Sequence, residues 1–106
     1  MWLLVNKVFG LLGISAKAGK IVSGTDIVIE NIDKGKIKLV IIAKDAAIRT
    51  VNNFNFICNK QKIPICVYGT IEENSKSIGK VNRAVIGVED EKLAEAIIKE
   101  ISAEVE

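Results

Sequence analysis

The chain has 106 residues, 49% of them hydrophobic and 26% charged, with one proline, two cysteines and no histidine. That length and composition predict one ordered domain, residues 1–106, with a single core, and they exclude disorder and low complexity. Net charge is only +2, yet residues 1–88 hold 13 Lys/Arg against 6 Asp/Glu while residues 89–106 hold 2 against 7, so a basic body carries an acidic tail and a polyanionic partner is expected.

The N-terminal stretch MWLLVNKVFGLLGI carries Asn6 and Lys7 early and never reaches the roughly 18 apolar residues of a membrane span. It has no basic leader or small-residue cleavage site, so no membrane association and a cytoplasmic address are expected. Leu3, Leu4, Val8, Leu11 and Leu12 recur at helical spacing and predict a first helix ending near Gly19. KIV is a short strand, after which Ser23 or Thr25 is expected to cap a second helix with Ile27, Val28 and Ile32 on its apolar face and Gly35 at its end.

Leu39 to Ala43 is a continuous apolar run between Lys38 and Lys44, the pattern of a strand buried on both faces at the centre of a sheet. Ala47, Val51, Phe54, Ile57 and Cys58 predict a helix to about Lys62, followed by the strand IPICVY with Pro64 at its start. The polar stretch GTIEENSKSIGK holds a short helix at most. Ala84 to Val88 is a further buried strand, and Leu93, Ile97, Ile98 and Ile101 define a closing helix that starts at EDEK with acids in its first turn. Strands alternating with helices predict an α/β fold, a three-layer α/β/α sandwich around a small parallel or mixed sheet.

Several chemistries lack their parts. Cys58 and Cys66 stand in apolar surroundings without histidine or a second pair, so a zinc site and a thiol nucleophile are not expected and both read as small buried hydrophobes. A phosphate-binding loop needs four residues between its glycines and a hydroxyl after its lysine, whereas GISAKAGKI has five and is followed by Ile21. A phosphoacceptor role for Asp45, just past the central strand, needs further carboxylates at the first strand, where only Asp26 is offered; Asp45 reads as a cap or turn residue.

Backbone recognition of RNA has more support. A glycine ahead of a helix lets a nucleic-acid backbone approach, free N–H groups at the helix start favour acceptors, and first-turn side chains reach base edges. Lys17, Lys20, Lys34, Lys36 and Lys38 would supply a salt-sensitive, sequence-independent contribution. The competing reading is that Ser23, Thr25 and Asp26 merely cap the helix. Trp2, Phe9, Phe54, Phe56 and Tyr68 are scattered, so structured RNA read by shape suits the chain better than stacked single strands.

The segment GKIVSGTDIVIENIDKGKIKLVIIAKDAA, with LLGISAKAGK before it and KIPICVYGT and SKSIGKVNRAVIGV after it, resembles the kink-turn-binding ribosomal protein superfamily. That superfamily includes archaeal large-subunit and small nucleolar ribonucleoprotein components. The motifs LLG, VSG and SIGK are most similar to its short bacterial branch. The resemblance covers nearly the whole chain and implies the same three-layer fold, with recognition of a sharply bent RNA containing tandem sheared G·A pairs.

It further implies that Gly24 lets the second helix enter the RNA, that positions 26 and 27 meet the G·A edges, and that Lys20 contacts the backbone. Lys80, Val81 and Asn82 match the loop that packs on an extruded nucleotide. Familiar members carry Asn and Glu where this chain has Asp26 and Ile27, and Lys where it has Glu30; the bacterial branch also has Asp followed by an apolar residue. Glu73 and Asn74 replace the Leu-Gly of many relatives at an expected helix start.

The expected function is therefore non-enzymatic RNA binding, ribosome- or ribonucleoprotein-associated, through Lys17, Lys20, Ser23, Gly24, Thr25, Asp26, Ile27, Lys34, Lys36, Lys80, Val81 and Asn82, with no cofactor or metal required. The alternative is a protein-interaction module on the same fold, with a degraded RNA surface and the acidic C-terminal helix as its partner face.

Overall fold

The structure, a computed structural model, describes residues 6–105. Trp2, Leu3 and Leu4 lie outside that range. Elements follow in the order α1 (Lys7–Lys17), β1 (Ile21–Ser23), α2 (Thr25–Asp33), β2 (Leu39–Ile42), α3 (Ile48–Gln61), β3 (Ile65–Val67), α4 (Ile71–Ser77), β4 (Val85–Val88) and α5 (Glu91–Val105). No helix among the described residues is long and apolar enough to cross a membrane.

The four strands form one mixed sheet in the order β1-β4-β2-β3. β4 enters between β1 and β2 and runs antiparallel to both, with Ile41 opposite Ile86, while β3 lies parallel to β2. Alternation along the buried strands divides the core. Leu39, Ile41, Ile86 and Val88 face Val8 and Leu12 of α1 and Ile97 of α5. Val40, Ile42 and Val85 face Val28 and Ile32 of α2 and Phe54 and Cys58 of α3. Each long apolar run is thus needed on both faces, and the architecture is the α/β sandwich with a small mixed sheet.

Gly87 interrupts the apolar run in β4 for a steric reason: a Cβ there would come within 2.8 Å of Ile37 Cδ1. Asn6 caps α1 by accepting from Phe9 N at 3.0 Å, and Asp90 caps α5 by accepting from Leu93 N at 2.9 Å. Phe9 and Tyr68 pack edge to face at 5.6 Å. The Tyr68 hydroxyl accepts from Asn6 Nδ2 at 2.9 Å and donates to the Glu104 carboxylate at 2.7 Å, which ties the starts of α1 and the end of α5 to the sheet.

Two local expectations are corrected. Ser23 and Thr25 do not cap α2: Ser23 is the last residue of β1, Thr25 is already helical, and the N-cap is Gly24 with no side-chain cap. Ile27 is not on the buried face of α2; it is 51% exposed, because Val28 and Ile32, four residues apart, orient the helix on the sheet. Asp45 lies in the turn that precedes α3, as expected, and does not cap that helix, whose N-cap is Ala47; its carboxylate accepts from Ile71 N at 2.8 Å, joining the end of β2 to the start of α4.

The polar stretch does hold a short helix, and its unusual residues build it. Thr70 Oγ1 accepts from Glu73 N, and Glu73 Oε1 accepts from Thr70 N, both at 3.1 Å, a capping box. Asn74 is 1% exposed and donates to Tyr68 O at 2.8 Å. Cys58 is buried and Cys66 half-buried, both as free thiols. Burial pushes both thiols up, Cys58 from 9.0 to about 11, so neither is an activated nucleophile.

Candidate nucleic-acid interface

The sheet brings the start of α2 and the loop before β4 together. Antiparallel pairing sets Ser23 opposite Ile86, and Gly24 N donates to Val85 O at 3.0 Å. Gly24 sits at φ 101°, ψ 145°, a conformation reserved essentially for glycine. It turns the chain from β1 into α2 and leaves the first-turn N–H groups without a side-chain cap. Thr25, Asp26 and Ile27 are exposed there, while Val28 immediately behind them is fully buried. The result is a rigidly seated helix start whose partial positive charge faces outward.

The neighbouring loop from Gly79 to Arg83 is shaped by Gly79 at φ 73° and Asn82 at φ 56°. Ser75, 1% exposed, holds it from inside: its Oγ accepts from Arg83 N at 2.7 Å, and its carbonyl accepts from Lys80 N at 2.8 Å. Val81 is thereby presented at 79% exposure with Lys80 and Asn82 exposed on either side. Between this loop and α4 lies a cleft of about 630 Å³, lined by Ile71, Glu72, Ser75 and Lys76 as well as the loop residues and Asp45.

Arg83 and Ser75 belong to this site although the sequence reading passed over both. A Cβ at position 24 would stand 3.8 Å from Arg83 Nη1, so the guanidinium flanks the helix start. Its Nε is buried and has no hydrogen-bond partner among the described residues. The signal available in the sequence was a cation directly ahead of a buried strand; its neighbour across the sheet could not be read from spacing.

The structure divides the expected site residues into two groups. Ser23, Gly24, Thr25, Asp26, Ile27, Lys80, Val81 and Asn82 share one end of the sheet. Lys17, Lys20, Lys34 and Lys36 gather at the other. Lys20 O accepts from Glu89 N beyond the end of β4, about 13 Å along β1 from Gly24 at the usual strand rise. Lys34 follows α2, and its Nζ lies 3.2 Å from Glu30 Oε2 in an exposed i, i+4 pair. That pair offsets the negative charge of Glu30 on the helix that carries Asp26. Among the described residues no group of three or more His, Cys, Asp or Glu side chains could hold a metal ion.

The layered α/β fold has counterparts among known proteins. Residues 6–100 match the ribosomal protein L7Ae/L30e/S12e/Gadd45 family, and the chain belongs to that family. Within it, the chain is 38% identical over 93 residues to the RNA-binding protein YlxQ of Bacillus subtilis (strain 168), covering 85% of this chain and 90% of that one. It is 29% identical over 102 residues to the large ribosomal subunit protein eL8 of Thermoplasma volcanium, covering 95% of this chain and 84% of that protein.

Among solved structures, a protein of unknown function from Bacillus halodurans superimposes with a TM-score of 0.90 at 32% identity, covering 92% of this chain and 99% of that one. The Giardia lamblia 15.5kD RNA binding protein shares the fold, with a TM-score of 0.77 at 21% identity over 90% of this chain and 82% of its own.

Proposed function

We propose that this protein binds RNA without catalysing a reaction, and that its target is a kink-turn or similar bent internal loop with sheared G·A pairs. The observation that carries this reading is the placement of the uncapped, glycine-headed start of α2 beside the Gly79–Arg83 loop. Backbone N–H groups and the helix charge would meet acceptors on the RNA, Asp26 would accept from a guanine amino or imino group, and Val81 would pack on an unstacked base. Binding would select the bent RNA because these contacts require it, and the equilibrium between open and bent forms shifts by that difference in affinity.

Support also comes from the names of the relatives, an RNA-binding protein in Bacillus subtilis and a large-subunit ribosomal protein in Thermoplasma volcanium. The setting that follows is cytoplasmic and ribosome- or ribonucleoprotein-associated. Ile27 offers no hydrogen bond, so part of a bidentate base contact is absent, a difference of roughly 1–3 kcal/mol.

The test is a gel-shift titration of a kink-turn RNA against the same RNA with its G·A pairs changed to Watson–Crick pairs, at two salt concentrations. Tight binding to the first and loss with the second is expected. Equal weak binding to both would sink kink-turn recognition. Binding that persists unchanged at the higher salt would argue for an apolar protein interface instead.

A further inference from the structure

A second concave surface lies at the far end of α2, where the two helical layers close around the start of β2. Its volume is about 430 Å³, within the range of ligand-sized clefts. Ile32 and Ile37, from the core beneath α2, meet Ala94, from the core beneath α5, at its floor. Half-buried Ile63 and Ile98 form apolar walls above them.

The rim is charged in two halves. Exposed Lys38 and Lys62 come from the β2 and α3 side, and exposed Glu91 and Glu95 stand one turn apart on α5. None of the four has a salt-bridge partner among the described residues, where Lys34–Glu30 is the one pair. Opposite charges therefore border the same apolar floor without closing on each other. An RNA phosphate backbone would suit half of this rim and be repelled by Glu91 and Glu95. A polypeptide carrying both signs around an aliphatic side chain satisfies all of it.

We propose that this groove docks an amphipathic segment of a partner protein: an aliphatic anchor over Ile63 and Ile98, an acidic residue toward Lys38 and Lys62, and a basic residue toward Glu91 and Glu95. The groove is separated from Gly24 by the nine-residue helix α2, about 13 Å of rise. A partner seated there leaves the start of α2 and the Gly79–Arg83 loop uncovered.

The test selects random 12-residue peptides displayed against the full chain. The expected consensus is an aliphatic residue flanked by one acid and one base. A synthetic consensus peptide should shift the backbone amide resonances of Lys38, Ile63 and Ile98, and should bind a chain carrying both Glu91→Lys and Glu95→Lys about tenfold more weakly or worse. Changing the peptide's basic residue to Glu should restore binding to that variant. These positions are exposed, so the variant's fold is checked directly by its unaltered core resonances. Absence of enrichment, peptides indifferent to the charge reversal, peptides that map to the start of α2, or self-association that fills the groove would each overturn the proposal.

Discussion

Arg83 flanks Gly24 closely enough that a Cβ at position 24 would lie 3.8 Å from its Nη1. The contact is an ordinary one, so space does not forbid a side chain at 24; the backbone does. At φ 101° and ψ 145°, replacement by Ala or Val strains the chain by about 1–3 kcal/mol. Gly24→Val should lower the unfolding free energy measured by urea titration by that amount, keep the core folded, and abolish specific RNA binding. Wild-type affinity in a folded Gly24→Val protein would show that α2 is not the contact surface.

Ser75 acts on the site through Arg83. Removing its hydroxyl leaves the Arg83 N–H, now satisfied at 2.7 Å, without its partner in a half-buried position. Ser75→Ala should cost about 1–3 kcal/mol in stability. It should also weaken RNA binding while leaving the salt slope unchanged, since no cation is removed. Arg83→Ala should flatten that slope instead. Both are read from titrations across a salt series.

Glu30 and Lys34 hold each other on the exposed face of α2. Breaking an exposed pair of this kind costs less than about 1 kcal/mol of stability. Glu30→Ala removes a charge that repels phosphate and releases Lys34 for the RNA. Affinity at low salt should rise, and the slope of log K against log salt should steepen by on the order of one unit. A weaker complex would place the RNA away from this turn of α2.

Burial raises the Cys58 thiol from 9.0 to about 11, so the folded state favours its protonated form. The associated stability is fully present below pH 9 and is lost as pH rises through about 11. Denaturation midpoints should decline over that window in the wild type and less in Cys58→Ala, after allowing for the variant's smaller core side chain. Alkylation at pH 8 should leave Cys58 unmodified until the chain unfolds.

The buried strands and long helices were legible locally. Leu39–Ala43 and Ala84–Val88 are apolar at every position except Gly87 because both faces of the sheet are covered. Val51, Phe54 and Cys58 keep a period that only a helix places on one side. The helix at Ile71–Ser77 was less visible, since its stability comes from the reciprocal bonds of Thr70 and Glu73 and from buried Asn74 rather than from an apolar stripe.

The amino-acid sequence by itself determined the elements, the glycine ahead of α2, and the resemblance that pointed to a family, because each rests on neighbours within a few positions along the chain. Tertiary structure alone decided that β4 lies between β1 and β2, and with it that Arg83 stands beside Gly24 while Lys20 and Lys36 stand at the other end. It also decided that Ile27 is exposed, since Val28 and Ile32 win the buried face, and that Lys34 is engaged by Glu30. Strand order is set by which pairing buries both apolar runs together, a property of the whole sheet that no local stretch contains.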